Sequence, residues 1–383
     1  MKSLFLAFIT LLFTSATLAA VPAQTMLAVP PAPQVAAKSY ILVDFNSGQT
    51  LIQADSNQRI EPASLTKLMT AYITFNAIKQ NRISLNQALP VSEKAWRTEG
   101  SRMFIDLKTP VTVAELIRGM IVQSGNDACI ALAEAIAGSE ESFAHLMNQE
   151  AARLGMKNTN FVNSTGLPNP QHYTTAYDLS LLAAAIIRDF PEFYPLYSIK
   201  EYRYNNITQP NRNRLLWLDP NVDGMKTGHT ESAGYCLITS AKRGSTRLIS
   251  VVLGTASDNA RTMESQKLLN FGFQFFDSVR IYAKEQAVAN LRVWKGSQKM
   301  LKAGFKDDKY IIVPKGQYQN VKVSMTSTQP LLAPISNGQK IGSVKLTLDG
   351  KELAEYPLFS LENVAIANIF GRSWDSIKLM FTK

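Results

Sequence analysis

Serine is followed three residues later by lysine at one place in this 383-residue chain, Ser64-Leu65-Thr66-Lys67. On a helix, positions i and i+3 share a face, so the Lys67 amine can reach the Ser64 hydroxyl. A lysine held neutral by burial or by a second cation can take the serine proton, which makes a nucleophile without a histidine. Such a serine also needs an oxyanion hole, a substrate anchor and a proton route to the leaving group. Ser124-Gly125-Asn126 offers a second hydroxyl and an amide, in a turn between two helical patterns. Lys226-Thr227-Gly228 offers a cation for a carboxylate, a hydroxyl, and a glycine that lets a substrate approach a strand edge. Lys226 close to Lys67 would lower the proton affinity of Lys67. Any one of these elements is weak by itself.

The elements that must hold them follow from periodicity. Pro62 suits a first helical turn, and apolar residues recur at helical spacing from 65 to 78. Ser64 then sits near the positive end of that helix, with its N–H free to donate to an oxyanion. Further helical patterns cover residues 113–122, 127–137, 141–154, 175–188 and 261–276. Residues 40–44 and 51–52 flank Asn46-Ser47-Gly48 as a hairpin, and strand patterns return at 234–242 and 247–254. Strands at both ends with helices between them give an α/β (α+β) domain over 38–280, its antiparallel sheet flanked by helices. From about 281 to 362 the runs are short and β-patterned, and Asp349-Gly350 marks a hairpin turn, so a small all-β domain follows. In residues 363–383, Ile366, Phe370, Trp374, Ile377 and Phe381 form one helical stripe, widened by Ile369 and Met380. Arg372, Asp375 and Lys378 lie elsewhere, the pattern of an amphipathic helix on a membrane surface or packed on the protein itself.

The bulk numbers set the context. Hydrophobic residues make up 46% and charged residues 18%, the balance of a folded, soluble chain. Residues 1–20 read as a secretory signal peptide: Lys2, an apolar run, then small residues. Residues 21–37, with Pro22, Pro30, Pro31 and Pro33, read as an extended linker. The net charge of +10 points to an anionic lipid surface or an acidic polymer, not to nucleic acid, which an exported chain rarely meets. Cys129 and Cys236 are compatible with one bridge or with buried free thiols. Three histidines with no C-x-x-C or H-E-x-x-H give no basis for a metal site, and no cofactor is implied.

S-x-x-K, S-x-N and K-T-G in this order are shared by class A β-lactamases and penicillin-binding proteins. Two other S-x-N matches compete: Ser257-Asp258-Asn259 falls after Lys226, out of order, and Ser84-Leu85-Asn86 lacks a following buried helix, which leaves Ser124. Pro62-Ala63-Ser64-Leu65-Thr66-Lys67, Gln123-Ser124-Gly125-Asn126-Asp127-Ala128 and Asp223-Gly224-Met225-Lys226-Thr227-Gly228-His229-Thr230 resemble the signatures of the low-molecular-mass, type-5 penicillin-binding proteins, the D-alanyl-D-alanine carboxypeptidases. The likeness runs from about residue 38 through 383.

That resemblance implies that Ser64 attacks the carbonyl between the two terminal D-alanines of a peptidoglycan stem peptide, with Lys67 as base. Ser124 and Lys226 would relay the proton to the departing D-alanine, and Lys226 and Thr227 would bind its carboxylate. The N–H groups of Ser64 and His229 would form the oxyanion hole, leaving the His229 imidazole without a role. Asn126 and Gly228 would complete the substrate cleft. Arg261 would add positive charge near the carboxylate; as a residue alone it reads equally as a solvated arginine at a helix start. Asp178 and Arg212 resemble polar positions beside the site and read as structural ion pairing. β-Lactams would act as inhibitors. A β-lactamase is disfavoured because no glutamate lies between Glu150 and Glu192 to activate a deacylating water. A non-catalytic wall scaffold is disfavoured by the intact Ser64, Lys67, Ser124 and Lys226. The expected location is the periplasmic face of a bacterial inner membrane.

Overall fold

The computed structural model describes residues 29–381. The signal peptide read at 1–20 and the first part of the proline-rich stretch lie outside the described residues; from 29 to 36 the chain carries no regular structure. A five-stranded antiparallel sheet forms the backbone of the larger domain. Its order is Thr50–Ala54, Ser39–Asp44, Thr246–Thr255, Gly234–Arg243, Val222–Thr230. The central strands are buried over unbroken runs because helices cover both faces. Ile41, Ile238, Ile249 and Val251 face the cluster built by most of the helices. Leu42, Leu237, Leu248 and Val252 face the other way, onto Leu268 and Leu269 of helix Asp258–Phe275. Chain ends supply the sheet and the middle supplies the helices, as the periodicity indicated.

Local sequence explains the elements that hold the site. The Ser64 segment is a 3₁₀ turn, Ala63–Thr66, that runs into the α-helix Lys67–Lys79, rather than one α-helix from 64. In a 3₁₀ turn, side chains at i and i+3 eclipse, which aligns Ser64 with Lys67 more directly than α geometry would. Helix Val113–Val122 opens on a capping box, Thr112 with Glu115, and the next helix, Asn126–Ala137, begins after a three-residue break. Ser124 sits in that break at φ 61, and Ala63, next to Ser64, sits at φ 47. Non-glycine residues held in the left-handed region cost energy and concentrate at functional sites. The competing S-x-N motifs resolve locally. Ser257 is the N-cap of helix Asp258–Phe275, accepting from the Ala260 N–H at 3.0 Å, and Ser84 lies in an exposed turn.

Helix Asp258–Phe275 leads directly into strand Phe276–Tyr282, which pairs with Lys309–Pro314, so β structure begins ahead of residue 281. A six-stranded sheet ordered Lys322–Ser327, Lys340–Leu348, Lys351–Ser360, Met300–Gly304, Ala287–Trp294, Leu331–Leu332 completes the smaller domain. Asp349 (φ 49) and Gly350 (φ 77) both take the positive φ that a tight hairpin turn requires. The terminal helix is Ile369–Phe381, shorter than the stripe read from 366: Ile366 instead bridges to Gly296, and Asn368 Oδ1 accepts from the Gly371 N–H at 2.9 Å. Cys129 and Cys236 are buried and unbridged.

Candidate active site

Lys67 is 1% exposed, and its Nζ lies 2.9 Å from Ser64 Oγ, 2.7 Å from Asn126 Oδ1 and 2.6 Å from the Thr165 carbonyl. A neutral amine has two N–H donors and one lone pair. Asn126 and Thr165 accept the two donors, which leaves the lone pair aimed at the Ser64 hydroxyl. Burial lowers the Lys67 pKa to about 8; Cys129 and Asp127 oppose the shift and Arg212 adds to it. Relative to water this disfavours the ammonium by roughly 3 kcal/mol.

The second serine has its own lysine. Lys226 Nζ donates to Ser124 Oγ at 2.9 Å and to the Thr227 carbonyl at 3.0 Å. The like-charge repulsion expected between the lysines is present. Burial first, then Lys67 and Arg212, hold Lys226 well below the usual lysine range. Repulsion between two cations is mutual, so a proton on either lysine disfavours a proton on the other.

Strand Val222–Thr230 forms the edge of the sheet beside the nucleophile turn. A Cβ on Gly228 would lie 3.1 Å from the Pro62 carbonyl and 3.3 Å from Ala63 Cβ, so only glycine lets strand and turn come this close. A cavity of about 300 Å³ opens here, lined by Ser64, Ser101, Ser124, Arg212, Thr227 and Gly228, with His229, Tyr235 and Arg261. The exposed His229 ring packs against Tyr235, with centroids 3.9 Å apart and the planes tilted by 34°.

Arg261 is not solvated: it is 4% exposed, donates to the Gly228 carbonyl at 3.2 Å and pairs with Asp258. Among the described residues, Asp178 and Arg212 do not form the ion pairs read for them. Asp178 accepts from the Asn158 N–H and the Thr159 hydroxyl, and Arg212 donates to Ser101 Oγ at 2.8 Å on the cavity wall. The nine residues singled out from the sequence for the site therefore meet around one cavity and the two buried lysines beneath it.

Several contributors were not read from the sequence. The Thr165 carbonyl is one, because every residue has a carbonyl and residue type carries no signal. Asp127 is another: its carboxylate accepts from the N–H groups of Met103, Phe104 and Ile105 at 3.0, 2.8 and 3.2 Å, fixing the segment that carries Ser101. His172 is a third. Its Nδ1 accepts from the Val162 N–H, so Nε2 donates to Thr66 Oγ1 at 2.9 Å, inside the S-x-x-K turn. Burial, with Lys67 adding, lowers its pKa to about 4 and keeps the ring neutral.

Comparisons with known proteins show the family. Residues 25–257 match the D-alanyl-D-alanine carboxypeptidase family and residues 276–365 match the penicillin-binding protein 5 C-terminal domain. D-alanyl-D-alanine carboxypeptidase DacC of Escherichia coli is 44% identical over 358 residues, covering 91% of this chain and 90% of that protein. DacA of Haemophilus influenzae is 44% identical over 353 residues, with the same coverage. Crystal structures of penicillin-binding protein 5 from Haemophilus influenzae superpose with a TM-score of 0.86 at 44% identity, over 88% of this chain and 100% of that one. Penicillin-binding protein D2 of Listeria monocytogenes, in its ampicillin-bound form, matches 64% of this chain and 100% of its own at 30% identity, with a TM-score of 0.59. The lysine-backed serine and its cleft thus sit on a shared fold, and the chain belongs to the D-alanyl-D-alanine carboxypeptidase family of penicillin-binding proteins.

Proposed function

We propose that this protein is a serine carboxypeptidase that removes the terminal D-alanine of peptidoglycan stem pentapeptides through an acyl-enzyme at Ser64. One observation carries the assignment of roles: the Lys67 amine lies 2.9 Å from Ser64 Oγ, with both its N–H donors engaged by Asn126 and Thr165. Lys67 takes the Ser64 proton as Oγ attacks the carbonyl between the two D-alanines. The backbone N–H groups of Ser64 and His229 hold the oxyanion that forms. Lys226 and Thr227, with Arg261 and Arg212 behind them, bind the terminal carboxylate in the cationic end of the cavity. That carboxylate favours the ammonium form of Lys226, which passes a proton through Ser124 Oγ to the leaving nitrogen as the C–N bond breaks. Lys67 then gives up the Ser64 proton to solvent, takes a proton from the water that adds to the ester, and returns it to Ser64 Oγ as the ester bond breaks, which restores the serine. Incubation with a stem pentapeptide should release one D-alanine per peptide, and Ser64→Ala should release none. Wild-type release by Ser64→Ala would overturn the assignment.

β-Lactams enter as carbonyl analogues and acylate Ser64. With no glutamate between Glu150 and Glu192, the penicilloyl ester lacks the water-activating carboxylate of the class A enzymes. The expected result is a long-lived labelled protein; turnover of many penicillins per second would make it a β-lactamase instead. We read the chain as leader 1–20, linker 21–37, peptidase domain 38–280, β domain 281–362, whose first strand begins at Phe276, and terminal segment 363–383, which carries the helix Ile369–Phe381. Export and a peripheral position on the periplasmic face of the inner membrane are supported by the leader pattern, the basic charge and the exposed apolar face of Ile369–Phe381. Among the described residues no helix is long and apolar enough to cross a membrane.

A further inference from the structure

The Thr165 carbonyl makes the shortest contact to the Lys67 amine, so whatever aims that carbonyl aims the base. Thr165 lies in a loop that no helix or strand holds, and three side chains hold it instead. Thr70, on the helix that carries Lys67, donates to the Ser164 carbonyl at 2.7 Å. Asn163 Oδ1 accepts from the N–H groups of Thr165 and Gly166 at 3.2 and 2.7 Å. Glu140 is the third and comes from outside the catalytic motifs. Its Oε1 accepts both the Ser164 N–H, at 3.0 Å, and the Ser164 hydroxyl, at 2.7 Å. Its Oε2 faces Lys94 Nζ at 3.0 Å.

Glu140 is 9% exposed and is the first residue of helix Glu140–Arg153, where the helix dipole favours a carboxylate. Ser164 is fully buried, so without Glu140 its hydroxyl and N–H would both be left unpaired. The loop would then relax away from Glu140, and the carbonyl one residue on would move with it.

We propose that Glu140, acting through Ser164, is a positioning residue that fixes the Thr165 carbonyl and thereby the direction of the Lys67 lone pair. Glu140 touches neither substrate nor the reacting atoms. The inference rests on Lys67 being the base. Two kinetic consequences follow. A misplaced carbonyl leaves the amine free to rotate, so acylation slows at every pH. It also removes an acceptor that stabilises the ammonium more than the amine, so Lys67 becomes less basic and the acid limb of acylation moves to lower pH. Of the other groups around Lys67, Cys129 feels the Glu140 charge, which adds to the burial that pushes its thiol up; Glu140→Gln removes that charge and keeps the acceptor, so it separates this effect from the positioning of the carbonyl.

The test measures the second-order acylation rate of the full chain by a fluorescent penicillin from pH 5 to 10, alongside the melting temperature. Glu140→Ala should acylate about tenfold more slowly with its acid limb displaced downward. Glu140→Gln keeps an oxygen for Ser164 and should recover to within about threefold, with the limb near the wild-type position. Ser164→Ala, which loses one donor and keeps the N–H, serves if Glu140→Ala fails to fold, and should shift the limb in the same direction by less. A lower melting temperature with wild-type rate and limb would reduce Glu140 to a structural role and overturn the proposal. Equal losses in Glu140→Ala and Glu140→Gln would overturn it too, since the charge and not the acceptor would matter. Lys67→Ala separates the premise from the inference: wild-type labelling there would remove the base itself.

Discussion

At the scale of single residues, the site works by making two lysines unlike one another. In the proposed roles Lys67, at about 8, is neutral often enough near neutrality to act as a base, while Lys226, held well below the usual lysine range, awaits a carboxylate to keep its proton. The sign of the pH dependence follows. Only the neutral amine removes the Ser64 proton, so the acylation rate should rise with pH and level off above about 8. A pH profile of penicillin acylation with no limb between pH 7 and 9 would contradict the burial argument. Arg212 gives a second handle, because its charge opposes the Lys67 ammonium. Arg212→Met should let the ammonium persist to higher pH, moving the limb up and slowing acylation at pH 7 by about two- to fivefold. A limb that moves down would show that another cation dominates. Ser64, Lys67, Ser124 and Lys226, which the structure brings into contact pairwise, could be singled out in the sequence because side-chain type and order mark them. The depth to which each amine is desolvated was not legible there, since that depends on packing and not on residue type. Nor was the burial of Arg261, where the same residue type serves a solvated helix start equally well.

At the scale of elements, the hydrophobic periods identified the long helices and central strands, because burial on one or both faces writes itself into spacing. What the periods miss is backbone geometry outside regular elements. Nothing in Ala63 or Ser124 announces a left-handed conformation, and the 3₁₀ turn at Ser64 follows from packing against Gly228 and the Gly166 loop. Gly166 shows how tight that packing is. It takes φ +86, and a Cβ there would stand 1.8 Å from the Ala63 carbonyl oxygen, inside the turn that presents Ser64. Gly166→Ala should therefore destabilise the fold by about 2–4 kcal/mol and cut D-alanine release at least tenfold in the folded fraction. Calorimetry and product assay together check this; an active variant of normal stability would mean that the turn can shift freely. Asp127 is the corresponding device on the opposite wall. Asp127→Asn replaces one acceptor oxygen by a donor facing three backbone N–H groups. It should loosen the Ser101 segment and raise KM for the pentapeptide more than it lowers kcat, and the reverse pattern would locate its role in the chemical step.

At the scale of the whole molecule, the catalytic cleft, the β domain and the terminal helix follow one another along the chain, and the helix leaves its apolar side uncovered. Phe370, Met380 and Phe381 are 85%, 82% and 84% exposed, and none of the helix residues is buried against the protein. Ile369, Phe370, Trp374, Ile377, Met380 and Phe381 fall within an arc of about 140° at 100° per residue, which leaves Lys378, Asp375 and Arg372 outside it. Thirteen residues span roughly 20 Å as a helix, short of the roughly 30 Å hydrocarbon core, so the geometry suits a helix lying in the interface plane. Asp375 Oδ2 accepts from the Lys295 N–H at 2.6 Å, tying the helix to the β domain without covering the apolar side. Sedimentation with vesicles of mixed zwitterionic and anionic lipid measures the consequence. The full chain should co-sediment, removal of residues 369–381 should release it, and Phe370→Ser with Trp374→Ser should release most of it. All three proteins should hydrolyse a soluble pentapeptide equally, because the helix makes no contact with the cavity at Ser64. Co-sedimentation unchanged by the deletion would place the membrane contact elsewhere on the basic surface. Loss of hydrolysis with the deletion would instead make the helix part of the fold that supports the site.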